Sequence, residues 1–207
     1  MVTFPTSCTT ASATSLAILA VVLITARPCA AQGRAERDRL ALEARGLFQA
    51  LDRNPTDIGR CAFEREWDGR PVLAETAQRH LKLVVRADLV VSDPPASIMQ
   101  IIDPDGTRPE YFCRAAEREQ VRREALTAFE AKGGTVLRFV SIGYSFPVFN
   151  ADYTRAALVV QRQVDSHRRA ADGALKPSIE ATGGAEIYEK RNGAWRQIAY
   201  DGYYTAH

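Results

Sequence analysis

The dipeptide Asn192-Gly193 constrains the fold of this chain more than any other feature. It separates two stretches in which apolar and polar residues alternate, "AEIYEKR" and "AWRQIAY". A type I′ hairpin turn prefers Asn-Gly because both central residues need a positive φ. A two-residue loop then fixes the register, so that Lys190 faces Trp195 and Ile187 faces Ile198.

This register assigns the side chains of the hairpin to two faces. One face, which we predict to point into the core, carries Ala185, Ile187, Ile198 and Tyr200. The other face carries Tyr188, Trp195 and the stem of Lys190. Since two aromatic side chains are rarely left in water together, the pair indicates that another element or a ligand covers the second face.

The rest of the chain reads as helices first and strands later. Helical spacing of apolar residues predicts amphipathic helices through "AERDRLALEARGLFQALD" and "AAEREQVRREALTAFEAKGG", the second ended by Gly133 as a left-handed cap. "PVLAETAQRHLKLVV" fits a helix or the start of a strand. "SIMQIID" is predicted as a short strand ended by the turn "DPDG".

Beyond Gly134 the period changes to two, and "TVLRFVSIGYSF" and "TRAALVVQRQV" are predicted strands. We therefore predict an α+β fold, with N-terminal helices packed on a C-terminal antiparallel β-meander, in one domain over residues 32–207. The order of helices and then strands also suits the cone of the nuclear-transport-factor-like superfamily. Residues 165–184 are predicted to be a long loop, either mobile or binding an anion or a partner.

The N-terminus predicts export. "SLAILAVVLITA" is an apolar run shorter than the roughly 20 residues that span a bilayer, and "PCAAQ" offers a cut before Gln32, so residues 1–31 are predicted to be a signal peptide. Residues 1–14 contain no Lys or Arg, in which they depart from the usual n-region of a signal peptide. An uncleaved membrane anchor is an alternative, and Cys29 leaves lipidation as another. A periplasmic or secreted location follows, in which Cys61 and Cys113 are predicted to form a disulfide rather than two buried thiols.

Composition and motifs exclude several function classes. A formal net charge of +2 gives no reason to expect a nucleic-acid partner. The three histidines lack metal-ligand spacing and no cofactor fingerprint is present, so we expect neither a metal nor a cofactor. "GYSFP" departs from the G-x-S-x-G nucleophile elbow and precedes a strand, so Ser145 is predicted to be structural. Remaining acid-base candidates are Glu180, Glu186, His80 and Asp201 with Tyr203.

"SFPVFNADYTRAALVV" followed by "AEIYEKRNGAW" resembles the C-terminal segment of a group of uncharacterised secreted or periplasmic bacterial proteins. The shared pattern is F-N-x-D-x-T-x-A, an apolar strand, and then E-K-x-N-G-x-W. The resemblance covers about the last third of the chain, and residues 165–184 and the C-terminus depart from it. It implies an exported protein and a β-meander, and it implies no reaction.

Two function classes stay open. In the first, the chain is a non-catalytic module that binds an envelope or extracellular partner, or a small apolar ligand, over its aromatic residues. The candidate binding residues are Tyr144, Tyr188, Trp195 and Tyr200. In the second, it is a lyase, isomerase or hydrolase with a pocket between helices and a curved sheet. The lack of a recognisable catalytic motif favours the first, with membrane contact only through an uncleaved signal.

Overall fold

The structure, a computed structural model, describes residues 29–51 and 59–206, and the side chains of 33–51 and 59–204. The core of the predicted signal, residues 15–26, lies outside this range. Within the described residues, every helix is too short or too polar to cross a membrane.

Helices α1 and α4 confirm the two predicted amphipathic helices. Helix α1 spans Cys29–Ala50 and α4 spans Ala115–Lys132. Gly133 adopts φ 70° after α4, as predicted for a left-handed cap. The ambiguous segment after residue 71 forms a short helix α2, Ala74–Thr76, which continues as one π-helical turn, Ala77–Leu81.

The strand predicted at "SIMQIID" was wrong, because residues Ile98–Ile102 form the short helix α3. Ser97 and Gln100 make a capping box there: the Ser97 hydroxyl accepts the Gln100 N–H, and the Gln100 side chain accepts the Ser97 N–H. Such caps satisfy helix donors that otherwise lack partners. This local pairing outweighs the strand preference of the isoleucines. A 3₁₀ turn, Pro109–Tyr111, follows.

The described residues form one seven-stranded mixed sheet with the order β2-β1-β3-β5-β6-β7, and β4 pairs with β5. The strands are β1 (Phe63–Glu64), β2 (Phe112–Cys113), β3 (Val136–Tyr144), β4 (Val148–Phe149), β5 (Arg155–Arg169), β6 (Leu175–Arg191) and β7 (Ala194–Ala206). Strands β3, β5, β6 and β7 are consecutive antiparallel neighbours, whereas β1 pairs in parallel with β2 and β3. The predicted α+β class and β-meander are confirmed.

The Asn-Gly hairpin has the predicted turn but a different register further along. Asn192 and Gly193 have φ of 52° and 80°, as a type I′ turn requires, and Lys190 pairs with Trp195. A β-bulge beyond Tyr188 then pairs Ile187 with Ala199 instead of Ile198. Ile198 and Tyr200 are consequently 43% and 49% exposed, so their predicted place in the core was wrong.

The long loop predicted at residues 165–184 was also wrong. Strand β5 continues to Arg169 and β6 begins at Leu175, so the connection is the tight turn 170–174. Gly173 adopts φ 84°, and the Asp172 carboxylate accepts the Ala174 N–H. Asp172-Gly173 is therefore a hairpin signal in its own right. The polar composition of the segment reflects exposed strand positions and not a loop.

Both faces of the sheet are covered near the Asn-Gly turn. On one face, which we call the aromatic face, Leu47 of α1 and Ile98 of α3 pack with Tyr144, Tyr188 and Trp195. On the opposite face the segment 72–89 packs its apolar side chains against β5 and β6; this cluster is formed by Val72, Ala77, Leu81, Leu89, Ala157, Val159, Ala185 and Ile187.

The predicted disulfide is present. Cys61 and Cys113 are bonded, with their Cα atoms 4.9 Å apart and 52 positions apart in sequence. Cys113 lies in β2, and Cys61 immediately precedes the segment that leads into β1. The bond therefore fixes the parallel end of the sheet, where β1 and β2 contribute only two residues each.

Candidate functional site

Three of the four predicted binding residues meet in the core of the aromatic face. Tyr144, Tyr188 and Trp195 are 2%, 2% and 5% exposed and belong to one apolar cluster. The ring of Phe48 in α1 packs edge-on against Tyr144 at 5.2 Å between centroids. Helix α1 thus occupies the place in which the sequence predicted a covering element or a ligand.

Tyr200 lies apart from these three residues, in a shallow concavity of about 500 Å³ at the β7 edge. Its ring lies over Gly184, where a Cβ would come within 2.7 Å of it, so only glycine lets the ring approach the strand so closely. Burial and the nearby Glu186 carboxylate raise the pKa of the Tyr200 hydroxyl. The concavity is shallow and open, and it is lined by Thr182, Tyr200, Gly202, Tyr203 and Tyr204.

A carboxylate is buried beside the aromatic cluster. Glu186 is 6% exposed and accepts a hydrogen bond of 2.6 Å from the Tyr188 hydroxyl. The two residues are two positions apart on β6, so their side chains emerge on the same face. This bond satisfies the Tyr188 hydroxyl inside the core and fixes the orientation of its ring.

Ser145 is structural, as predicted. It is 5% exposed, follows the end of β3, and its hydroxyl accepts the Val159 N–H at 2.8 Å while its own N–H donates to the Val159 carbonyl. The Ser145 hydroxyl therefore serves as the acceptor for the Val159 N–H, in place of a backbone carbonyl, in the gap between β3 and β4. An oxygen committed in this way is not presented to a substrate.

The turn before β5 also behaves as predicted. Asn150 accepts the N–H groups of Thr154 and Arg155, and Asp152 accepts the N–H and hydroxyl of Thr154. The hydrogen bond from the Thr154 hydroxyl is the main reason that the pKa of Asp152 is lowered. The F-N-x-D-x-T pattern thus encodes a self-bonded turn.

Among the acid-base candidates, the structure brings His80 and Asp201 together. The His80 Nε2 atom lies 3.4 Å from Asp201 Oδ2, and the Thr76 hydroxyl donates to the same oxygen at 2.9 Å. Tyr203, whose pKa is raised by burial, accepts the Leu73 N–H nearby. Glu180 is an exposed residue on β6. Glu186 lies on the aromatic face beside Tyr188, whereas His80 and Asp201 lie on the other face of the sheet. The cluster is partly exposed, and the His80 and Thr76 side chains are arranged around the Asp201 carboxylate.

A groove at the other end of the sheet was not predicted from the sequence. Its volume is about 560 Å³, and we call it the arginine groove. One side of α4 contributes residues at helical spacing, Ala115, Arg118, Glu119 and Arg122. The sheet and the segment before β1 contribute the remaining charged and polar lining, Arg60, Arg138, Ser141, Arg162, Gln163 and Asp165.

Two of these arginines are held in place by carboxylates. Arg118 donates from Nη1 to Glu64 at 3.1 Å and to the Ser141 hydroxyl at 2.7 Å, and its Nε is buried with no hydrogen-bond partner among the described residues. Arg122 lies 3.4 Å from Asp165 and 3.6 Å from Glu119.

The other three arginines are exposed and have no carboxylate within ion-pair distance in the described ranges. They are Arg60, Arg138 and Arg162. Sequence reasoning missed the groove because its residues come from four separate segments. The only local signal was the spacing of Arg118 and Arg122, one turn apart on α4.

The residues that the structure describes contain no cluster of three or more His, Cys, Asp or Glu side chains able to hold a metal ion. The chain matches no protein-family model and no curated protein sequence.

Proposed function

We propose that this chain is an exported, non-catalytic binding module whose ligand site is the arginine groove. The observation that carries the proposal is a difference between two candidate surfaces: protein side chains cover one of them, and the other is open. The aromatic face is filled by side chains of α1, whereas the groove is open and bordered by the guanidinium groups of Arg118 and Arg122 and by the exposed Arg60. Convergent polar groups in an open concavity are typical of ligand sites.

The chemistry of the groove supports binding and not turnover. The ionisable side chains among its described lining residues are arginines and two carboxylates that already pair with Arg122, and the other lining side chains are neutral. Arginine does not exchange protons near neutral pH, so it serves to hold and orient an anion. A general acid or base would need a group that titrates near neutrality.

Export is supported by three independent features. The Cys61–Cys113 disulfide suits an oxidising compartment, in which such bonds persist. The predicted signal at residues 1–31 and the resemblance to secreted or periplasmic bacterial proteins point to the same compartments. We therefore place the protein in the periplasm or outside the cell.

The test is to purify the full-length chain from its own host and measure its mass under native and denaturing conditions. We expect an N-terminus at Gln32, one disulfide, and a non-covalent small-molecule adduct that disappears on denaturation. Arg60→Gln should lower the adduct fraction, and Arg196→Gln, the same change at an exposed arginine of β7, should not. Cytosolic protein with two free thiols would contradict export, and an adduct unaffected by Arg60→Gln would contradict the site.

The His80–Asp201 pair supports a second candidate, an acid-base enzyme of the lyase, isomerase or hydrolase type. Its atoms lie 3.4 Å apart between the π-helical turn and β7. A turnover found by screening such substrates would favour this function if Asp201→Asn abolished it and Arg60→Gln did not. Equal activity in wild type and Asp201→Asn would exclude a catalytic role for the pair.

A further inference from the structure

We infer that the sheet binds the surface of an anionic phospholipid membrane through a cluster of exposed cations on the part of the aromatic face farthest from the Asn-Gly turn. The cluster, which we call the basic strip, consists of Arg138, Arg162, Arg168 and Lys176. It lies apart from the arginine groove, so the inference goes beyond the proposed binding function. It is supported by the strand register, by the exposure of the four side chains and by their unbalanced charge.

The strand register places the basic strip on the aromatic face. Tyr144 of β3 pairs with Val160 of β5, and both side chains belong to the aromatic cluster. Side chains two positions apart on a strand share a face, and the arginines of the basic strip lie an even number of positions from these two residues. Lys176 of β6 joins the arginines because it pairs with Arg168.

Helix α4 lies on the opposite face of the sheet. Its Arg122 pairs with Asp165, which is an odd number of positions away from Arg162 on β5. Arg138 and Arg162 therefore border the arginine groove with their backbone, and their side chains extend from the other side of the sheet. The basic strip and the arginine groove are consequently two separate surfaces.

The basic strip is open to solvent over an area larger than a single anionic group. All four cations are exposed, and so is the apolar Val136, which is 51% exposed and pairs with Arg168. The six positions from Arg162 to Arg168 span about 20 Å along β5, and the three strands β3, β5 and β6 span about 10 Å across. Several anionic groups are needed to cover such a surface.

The charges of the basic strip are not balanced. In the described part of the chain, none of its cations lies within ion-pair distance of a carboxylate, and Glu180 supplies one exposed carboxylate on the neighbouring stretch of β6. Arg168 and Lys176 face each other directly, an arrangement that destabilises a sheet because like charges repel. An anionic surface relieves this repulsion. The net charge of +2 conceals the cluster because it sums over all faces of the protein.

The lack of fixed partners favours a membrane over a discrete ligand. Arg118 in the arginine groove is held by Glu64 and Ser141, as a polar group of a preformed site usually is. Among the described residues, no hydrogen bond holds a side chain of the basic strip. Phospholipid headgroups can move sideways to meet such charges, and each Lys or Arg near an anionic membrane adds to the attraction. Val136 offers an apolar contact with the headgroup region.

The experiment measures co-sedimentation with vesicles of the protein purified from its own host. One set of vesicles contains phosphatidylglycerol and phosphatidylcholine in equal amounts, and the other contains phosphatidylcholine alone. The test variant is Arg168→Gln/Lys176→Gln. The control is Arg86→Gln/Arg196→Gln, which removes the same charge from exposed positions on the other side of the sheet.

We expect wild type and control to bind the phosphatidylglycerol vesicles and not the neutral ones. The test variant should bind about 25-fold more weakly, which is about fivefold for each charge removed. Added salt should release the wild-type protein from the vesicles. Urea unfolding should show that the test variant is at least as stable as wild type, because it removes a pair of like charges.

Four results would overturn the inference. Equal weakening in the control would show a general charge effect, and equal binding by wild type and test variant would assign the contact to another part of the chain. Binding that resists salt would be apolar insertion. Absence of binding to the phosphatidylglycerol vesicles would exclude the membrane; if dextran sulfate then bound wild type more tightly than the test variant, the partner of the basic strip would be an acidic polysaccharide.

Discussion

The aromatic face and the arginine groove are built from the same two strands, β3 and β5, and differ in what covers them. Tyr144 on the aromatic face is 2% exposed beneath α1. In the groove, α4 reaches β5 through the ion pair of Arg122 with Asp165, and the neighbouring Arg60 is exposed. Helix α1 closes the aromatic face with apolar contacts. At the groove, helix α4 contacts the sheet through charged side chains.

This difference shows why aromatic residues alone are a poor guide to a binding site. A tyrosine or tryptophan on a strand stabilises the fold when a helix covers it, and binds a ligand when nothing does. The same strand sequence is compatible with both outcomes.

The largest effect is expected for Trp195→Ala. Trp195 is 5% exposed and packs against Phe149 at 5.8 Å between ring centroids, so its truncation should lower the free energy of unfolding by about 3–5 kcal/mol in urea titrations. Trp195→Phe is the matched control and should lose much less, because the indole Nε1 has no hydrogen-bond partner within the described ranges. If Trp195→Ala instead removed the small-molecule adduct while stability held, the aromatic face would be a ligand site.

The second-largest effect on stability is expected for removal of the disulfide. Cys61 and Cys113 are 52 positions apart, and the chain-entropy model assigns such a cross-link about 4 kcal/mol. Urea unfolding of the Cys61→Ser/Cys113→Ser double variant, compared with wild type with and without reductant, measures this contribution. Since Cys61 also lines the groove, the adduct fraction in native mass spectrometry should fall as well. Identical unfolding midpoints for reduced and oxidised wild type would contradict the prediction.

Ser145→Ala should have a smaller effect, restricted to the sheet. It leaves the buried Val159 N–H without its acceptor, which costs about 1–3 kcal/mol. Ser178→Ala, at an exposed position on β6, is the control and should change stability little. Thermal unfolding measures both, and binding to the groove should be unaffected by either. A Ser145→Ala variant that is as stable as wild type but has lost a measured activity would restore a chemical role to this serine.

The smallest effect concerns the attachment of α1 at high pH. Burial, aided by the hydrogen bond that its hydroxyl donates to Glu36 of α1, raises the pKa of Tyr153 from 10.0 to about 12. A raised pKa means that the folded state favours the protonated form, so this stabilisation is complete below pH 10 and is lost as pH rises towards 12. Urea unfolding across this range should show a decline that Tyr153→Phe reduces. A decline of the same size in Tyr153→Phe would assign it to other groups.

Much of the local structure could be predicted from short patterns. Asn192-Gly193 predicts its turn because few residues tolerate two consecutive positive φ values. Gly133 predicts the end of α4 for a similar reason. The strand prediction at residues 97–103 is wrong because Ser97 and Gln100, both visible in the sequence, form a capping box that favours a helix. The loop prediction at 165–184 is wrong because Asp172-Gly173 makes a tight hairpin turn.

Other features could not be predicted because no short stretch of the sequence encodes them. The bulge that moves Ile198 into solvent arises where β7 adjusts its pairing with β6, and no residue there demands it. The arginine groove joins a residue near Cys61 with α4, β3 and β5, which lie up to about 100 positions apart. Nothing local relates Arg60 to Arg162.

The sequence by itself determined the positions of the two long helices, the Asn-Gly turn, the self-bonded turn at Asn150 and the single cysteine pairing open to the predicted mature chain. These follow from backbone sterics and from hydrogen bonds between residues a few positions apart, so a short stretch contains all the atoms involved. Only the tertiary structure decided which sheet face α1 closes and which arginines remain without carboxylates. Those outcomes depend on the packing of distant segments against one another, and the free energy of such packing is not contained in either segment alone.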